Sequence, residues 1–269
     1  MNNKLDNLTQ NYFYKKQVIV YQHKQGYRFS IDAPVLADFL PFAPGEKALE
    51  IGVGSGIIGL LALYRNKFSF IYGFEIQEQL SRLARFNAEQ NGFSDRFKIF
   101  SADFKEAMSL DNINLNKSFL GGPGGQFFKN APLVAEGINE IKHIFSNPPF
   151  FKTGRGRLSP NREIRHAKFE TKLNLETLLT GSYSLLAPQG SLYLIFPYAR
   201  FVELERLARE TGFFIFKKRL IFSFKDGRAE RFLVQLTNYE VSQVTLEPLI
   251  IFKTKGRYTE EMEGIFAGH

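Results

Sequence analysis

The chain has 269 residues, 44% of them apolar, with 35 Lys and Arg against 27 Asp and Glu, a net charge of +8 and a pI near 9.5. That is enough apolar material for the core of one large domain, and the basic balance suits a polyanionic partner. The absence of cysteine excludes a disulfide framework and thiolate metal sites; the four histidines (23, 143, 166 and 269) show no ligand spacing, so no metal is expected. With no secretory h-region and no apolar run of transmembrane length, the expectation is a cytoplasmic protein without a membrane segment.

Residues 1–11 are polar. Residues 12–21 alternate loosely through Phe13, Val18 and Val20, Gln25-Gly26 permits a turn, and Tyr27-Arg28-Phe29-Ser30 follows, which predicts a β-hairpin. Asp32, Ala33 and Pro34 open a helix. Its Val35, Leu36, Phe39 and Leu40 share one face, and Pro41 ends it. Pro44-Gly45 then turns the chain into Lys47-Ala-Leu-Glu-Ile-Gly-Val-Gly-Ser-Gly-Ile-Ile-Gly59. This reads as a buried strand over 48–51, a turn carrying Gly52, Gly54 and Gly56, and a helix from Ile57. Glycines let such a turn bend sharply and leave no Cβ between loop and ligand, while the helix start offers N–H groups and its positive dipole end. Glu50, at the strand end, is placed to accept hydrogen bonds from a cationic amino group.

A strand over 68–74 runs into Glu75, about 20 residues after the loop, where a carboxylate accepts from ribose hydroxyls. Glycine loop and Glu75 together fit NAD and S-adenosylmethionine equally well. A helix over 77–90 (Leu80, Leu83, Ala84 and Phe86 apolar) stops at Asn91-Gly92, and a strand over 97–100 is closed by Ser101-Ala-Asp103-Phe104. Residues 108–140 lack periodicity and read as an insertion loop. Its Gly124-Gly125-Gln126 spells the tripeptide methylated in release factors, taken here as chance. A strand over 141–146 leads to Asn147-Pro148-Pro149-Phe150. A polar segment over 151–172, a helix over 173–186, the turn Pro188-Gln-Gly190, a strand over 191–196 and a helix over 199–211 follow. Strands over 213–222 and 229–236 are joined by Lys225-Asp226-Gly227, a hairpin signal, and the tail offers a short edge strand over 249–253.

Strand–helix alternation followed by a hairpin predicts an α/β architecture: a mostly parallel sheet with an antiparallel C-terminal hairpin. Domain boundaries are expected at an N-terminal hairpin and helix extension (1–45), a main domain (46–240) and a tail (241–269). Glu50, Glu75, Asp103 and Asn147 all fall at predicted carboxyl ends of strands, the rim where such sheets bind ligands.

Asn147 to Phe150 resembles the (N/D)PP(Y/F) motif of amino-methyltransferases acting on adenine, cytosine or glutamine. The chain resembles a class I S-adenosylmethionine-dependent methyltransferase with a Rossmann-like seven-stranded fold. The resemblance implies S-adenosyl-L-methionine as cofactor, bound by Asp32, Glu50, Gly52, Gly54, Gly56, Glu75, Ile76, Asp103, Phe104 and Asn147. Asp103 would hold the adenine amino group and Phe104 would pack on the ring. Catalysis would lie with Asn147, Pro148, Pro149 and Phe150. An exocyclic amine is a poor nucleophile because its lone pair is delocalised. The Asn147 side-chain carbonyl and the Pro148 backbone carbonyl favour its attack by accepting its N–H bonds, two prolines stiffen the segment, and Phe150 stacks on a base.

Phe13-Tyr-Lys-Lys16, Val18-Ile-Val-Tyr-Gln22, and Phe29-Ser-Ile-Asp-Ala-Pro-Val-Leu36 with its (T/S)xD(A/S)xxL pattern on Ser30, Asp32 and Leu36 narrow the resemblance to the tRNA1(Val) (adenine-37-N6)-methyltransferase family. Arg162-Glu-Ile-Arg165-His166 resembles that family's Arg-His element, whereas Lys142-His143 stand where an acid is common. Residues 152–172 carry seven Lys and Arg against Glu163 and Glu170, and Lys152, Arg155, Arg157, Arg162, Arg165 and His166 are the expected contacts to tRNA phosphates. The protein is expected as a monomer or homodimer. The alternatives are a protein-glutamine methyltransferase of the release-factor type, a methyltransferase for another RNA such as rRNA, and a NAD-binding or non-catalytic scaffold.

Overall fold

The computed structural model describes residues 7–26, 28–107, 141–148 and 173–268. The insertion with Gly124-Gly125-Gln126 and the segment from Pro149 through the basic loop lie outside them. An eight-stranded sheet organises the molecule. Its strands are β3 (Ala43–Ile51), β4 (Phe68–Glu75), β5 (Phe97–Ser101), β6 (Ile141–Ser146), β7 (Leu186–Pro197), β8 (Phe214–Phe222), β9 (Ala229–Thr237) and β10 (Val244–Ile250), in the order β10-β8-β9-β7-β6-β3-β4-β5. Only β9 runs against its neighbours, β7 and β8. Chain order reverses between β3 and β6, and that crevice is where a doubly wound sheet takes a ligand.

Period-two alternation assigns the faces. In β3, Ala48 and Glu50 point to one side and Leu49 and Ile51 to the other; in β4, Ile71, Gly73 and Glu75 oppose Tyr72 and Phe74. The first face packs under α1 (Asp32–Phe39), α2 (Ile57–Tyr64) and α3 (Glu78–Gln90), the second under α4 (Phe104–Ala107), α5 (Leu175–Leu185) and α6 (Phe201–Thr211). Strands buried on both faces read as near-continuous apolar runs, and each fully buried Phe or Leu, such as Phe68, Phe145 and Leu61, stabilises the fold by about 1.5–3 kcal/mol. At the amino ends of the strands, His143 Nε2 and Lys142 Nζ meet Glu46 of β3 at 2.6 and 3.2 Å, so β3 supplies an acid beside the Lys142-His143 pair.

Three expectations change. The N-terminal hairpin pairs β1 (Leu8–Phe13) with β2 (Val18–His23), not 12–21 with 27–30. Its turn is built from Tyr14, Lys15 and Lys16 at φ 51, 55 and 71°, a left-handed run of non-glycine residues that no turn signal announces. The sheet has eight strands rather than seven, because β10 joins the edge parallel to β8. The tail beyond it folds into a small hairpin, β11 (Phe252–Thr254) with β12 (Arg257–Tyr258), and a helix α7 (Glu260–Ala267) capped by the Thr259 hydroxyl.

Candidate active site

The glycine turn closes β3 over the sheet edge. Gly52, Gly54 and Gly56 adopt φ of 77, 59 and 85°, a region closed to most side chains. The turn is anchored where Gly52 and Val53 N–H both donate to Phe74 O, at 2.9 and 3.1 Å. Val53 rests on Gly73, where a Cβ would come within 2.4 Å of its Cγ2. A Cβ at Gly52 would meet nothing within 4 Å among the described residues, whereas one at Gly56 would press on Ala84 of α3. Gly52 thus faces open space on the ligand side, and Gly56 serves close packing.

Two carboxylates sit beneath and beside this turn. Glu75 is 5% exposed and braces the loop: its Oε2 accepts from Gly54 N–H at 2.8 Å and its Oε1 from Gln77 N–H at 2.9 Å. Glu50 is fully buried; its Oε2 accepts from Gly59 N–H at 3.1 Å, while Oε1 has no partner among the described residues. Burial pushes its carboxyl well above the usual range, partly offset by the Gly59 bond and reinforced by the nearby Glu75 charge. One of the α2 N–H groups expected to face the ligand is therefore spent on Glu50. The helix stays close enough for this because Gly59 has no Cβ: one there would lie 2.8 Å from Glu50 Oε2 and 2.5 Å from Phe97.

At the end of β5, Asp103 Oδ1 accepts from Lys105 N–H at 2.9 Å and caps the short α4. Phe104 is 4% exposed and its ring meets Phe74 edge-on at 5.8 Å, which packs it into the core beside this rim. Ile76, 38% exposed directly after Glu75, is the apolar surface available at that rim. Asp32 is 4% exposed, and its Oδ2 accepts from Arg231 Nε at 2.9 Å and Ser30 Oγ at 2.7 Å. It ties the start of α1 to β9, across from Pro197 of β7.

Across the crevice, Ser146 Oγ donates to Ile51 O at 2.6 Å and Ser146 pairs in register with Ile51. This bond pins the end of β6 to the end of β3, so Asn147 and Gly52 are matching next residues on neighbouring strands. Asn147 Oδ1 is buried and has no hydrogen-bond partner among the described residues. A buried acceptor without a donor costs about 1–3 kcal/mol, an arrangement suited to a group that receives its donor from a ligand. Pro148 is buried beside it, whereas Pro149, Phe150, Lys152, Arg155, Arg157, Arg162, Arg165 and His166 lie outside the described residues. Among those described, no group of three His, Cys, Asp or Glu side chains could hold a metal ion, and no helix is long and apolar enough to cross a membrane.

Sequence reading missed Asn87. This fully buried residue of α3 accepts from Tyr21 N–H at 2.9 Å and donates to Tyr21 O at 3.0 Å and to Ser55 O at 2.9 Å. It clamps the glycine turn to the free edge of β2. The signal was present: Asn87 continues the apolar stripe Leu80, Leu83, Ala84, and a polar residue inside such a stripe must be hydrogen-bonded.

No protein-family model matches the chain. It is 27% identical to the tRNA1(Val) (adenine(37)-N6)-methyltransferase of Dyadobacter fermentans over 247 residues, 91% of this chain and 90% of the relative. It is 33% identical to the protein of that name from Porphyromonas gingivalis over 163 residues, 61% of this chain and 54% of the relative. The crystal structure of a predicted O-methyltransferase from Agrobacterium tumefaciens superposes with a TM-score of 0.59 at 18% identity, over 88% of this chain and 95% of that one. The chain thus carries the Rossmann-like class I methyltransferase fold and is a homologue of the proteins named tRNA1(Val) (adenine(37)-N6)-methyltransferase.

Proposed function

We propose that the protein transfers a methyl group from S-adenosyl-L-methionine to the exocyclic N6 amine of an adenosine in tRNA, position 37 being the candidate that the relatives' name supplies. The observation that carries the reading is the buried Asn147 Oδ1, without a hydrogen-bond partner among the described residues and set next to the glycine turn at the point where the strand order reverses. The residues present fit the cofactor: an open cradle at Gly52, a bracing carboxylate at Glu75, an exposed Ile76 and an orphaned carboxylate oxygen on Glu50. When bound, S-adenosyl-L-methionine supplies an electrophilic sulfonium methyl.

The remaining chemistry belongs to the chain. Asn147 Oδ1 and the Pro148 carbonyl accept the two N–H bonds of the target amine, which favours a tetrahedral nitrogen with its lone pair aimed at the methyl. Their strand-anchored positions make orientation the main source of rate, with no strong base required. Glu75 receives the ribose hydroxyls, and Asp103 receives the adenine amino group. The basic run 152–172 meets tRNA phosphates and Phe150 takes the target base, which is partly unstacked in an anticodon loop and costs a few kcal/mol or less to extract. Residues 46–240 form the catalytic unit and work in the cytoplasm. The test is methyl transfer by purified protein to unmodified valine tRNA, with a release factor as the competing substrate. Labelling of the tRNA with nucleoside analysis showing N6-methyladenosine is the expected result; labelling of the release factor alone would replace this reading with glutamine methylation.

A further inference from the structure

A basic surface lies on the rim that carries Asn147. The β8–β9 turn follows Phe222 and precedes Ala229, on the carboxyl-end side of β7, because Arg231 of β9 pairs with Pro197 and Leu194 pairs with Ser146, the neighbour of Asn147. β8 stands three strands from β6, about 15 Å at the usual strand spacing. The β11–β12 hairpin is fastened to this turn: Ile251 N–H donates to Phe222 O and Phe252 N–H to Ser223 O, both at 2.9 Å. The rings continue the link, with Phe224 and Phe252 at 5.6 Å and Phe252 stacked on Tyr258 at 5.1 Å. Phe224 is 42% exposed and Tyr258 36%.

Around these rings stand Lys225, Arg228, Lys253, Lys255 and Arg257, all exposed, with Asp226 the single acid in the two turns. None of the five forms an ion pair among the described residues, whereas Arg82 and Arg206 are paired with Glu78 and Glu210. Cations left unpaired beside exposed rings form the combination that tracks a nucleic-acid strand: ammonium and guanidinium groups meet phosphates while rings stack on bases of any sequence. A protein partner of ordinary composition would leave these charges desolvated without matching acids. We propose that the β8–β9 turn and the β11–β12 hairpin form an RNA-binding platform that holds the backbone of the substrate tRNA several nucleotides away from the base at Asn147. The proposal rests on the tRNA reading above.

Two measurements keep the proposals separate. Lys253→Ala, Lys255→Ala and Arg257→Ala are combined in one variant, checked for an unchanged melting temperature and unchanged S-adenosyl-L-methionine affinity. Arg82→Ala, Arg206→Ala and Arg209→Ala, three exposed helix cations, are combined as a control for net charge. Binding to valine tRNA is measured by filter retention across a salt series, with no methylation readout. The platform predicts at least about a ten-fold loss of affinity for the triple variant near physiological salt, and a fall of roughly 2–3 in the slope of log affinity against log salt, with the control variant close to wild type. Wild-type affinity and slope in the triple variant, or equal losses in both variants, overturn the platform. If the wild-type protein binds tRNA through these residues but methylates only a release factor, the platform stands and the tRNA substrate assignment fails.

Discussion

Replacing Asn87 with alanine tests how the N-terminal hairpin and the glycine turn depend on each other. Asn87 and Asn91 act together as a substitute strand for the free edge of β2. Asn91 exchanges two bonds with Ile19, at 2.9 and 2.7 Å, and Asn87 exchanges two with Tyr21. The match is geometric: four residues of helix rise about 6 Å, close to the roughly 6.7 Å of two strand residues. Asn87 adds the Ser55 carbonyl of the glycine turn. Asn87→Ala therefore strands three buried backbone groups, each at about 1–3 kcal/mol, partly relieved by water entering the space. The expected loss is about 4 kcal/mol, seen as a fall on the order of 10 °C in melting temperature. Asn91→Ala, at a half-buried site with no bond to the turn, should cost about 1–2 kcal/mol. The distinguishing readout is cofactor affinity by titration calorimetry, at a temperature where both variants remain folded: Asn87→Ala should weaken it several-fold and Asn91→Ala should not. Equal stability losses, or cofactor affinity indifferent to Asn87, would refute the clamp.

Three further outcomes follow from the site. Gly52→Val forces a β-branched side chain into φ 77° and into the open cradle, so calorimetry should show cofactor binding abolished while far-UV circular dichroism keeps its α/β signature. Glu50 has a folded-state carboxyl raised above its ordinary 4.5. The folded chain thus holds this proton above the pH at which the unfolded chain releases it, and stability falls as pH rises from about 4.5 upward. Glu50→Gln should flatten that fall in cofactor-free denaturant titrations and weaken cofactor binding, and an unchanged slope would show that Glu50 does not titrate this way. Asp32→Ala breaks the bond to Arg231, whose side chain is 32% exposed. It should cost about 2 kcal/mol with cofactor affinity unaltered, and a loss of affinity would place Asp32 in the cofactor site.

What the sequence revealed about the site was carried by short stretches whose chemistry is local. The glycine turn needs positive φ at 52, 54 and 56, and only glycine offers that freely. Asn147-Pro148 needs a strand end and stiff backbone, and both are visible in six residues. The strand–helix rhythm gave the parallel sheet because each element spends its own apolar pattern against it. Other contacts of the site residues carry no such local signal. Asp32 finds Arg231 at a separation of 199 residues, Phe104 is taken into a core assembled from Phe74 and Phe100, and Glu50 is sealed by a glycine nine positions later. None of these long-range contacts has a local signature. The turn at Tyr14, Lys15 and Lys16 carries no turn residue at all. Its left-handed backbone is held from outside, where Tyr14 N–H donates to Phe266 O at 3.1 Å and the Tyr14 ring lies on Tyr64.

The most direct test of the central claim is Asn147→Ala, measured for both methyl transfer to valine tRNA and cofactor affinity. The substitution removes the buried acceptor and leaves the glycine turn, Glu75 and the Ser146–Ile51 bond in place. Loss of roughly 2–4 kcal/mol of transition-state stabilisation corresponds to a rate reduction of about 30- to 1,000-fold. A fall in kcat of that size is expected, with cofactor affinity within about two-fold of wild type. Near-normal turnover in the variant, with wild-type folding and cofactor binding, would contradict it and leave Asn147 a structural residue.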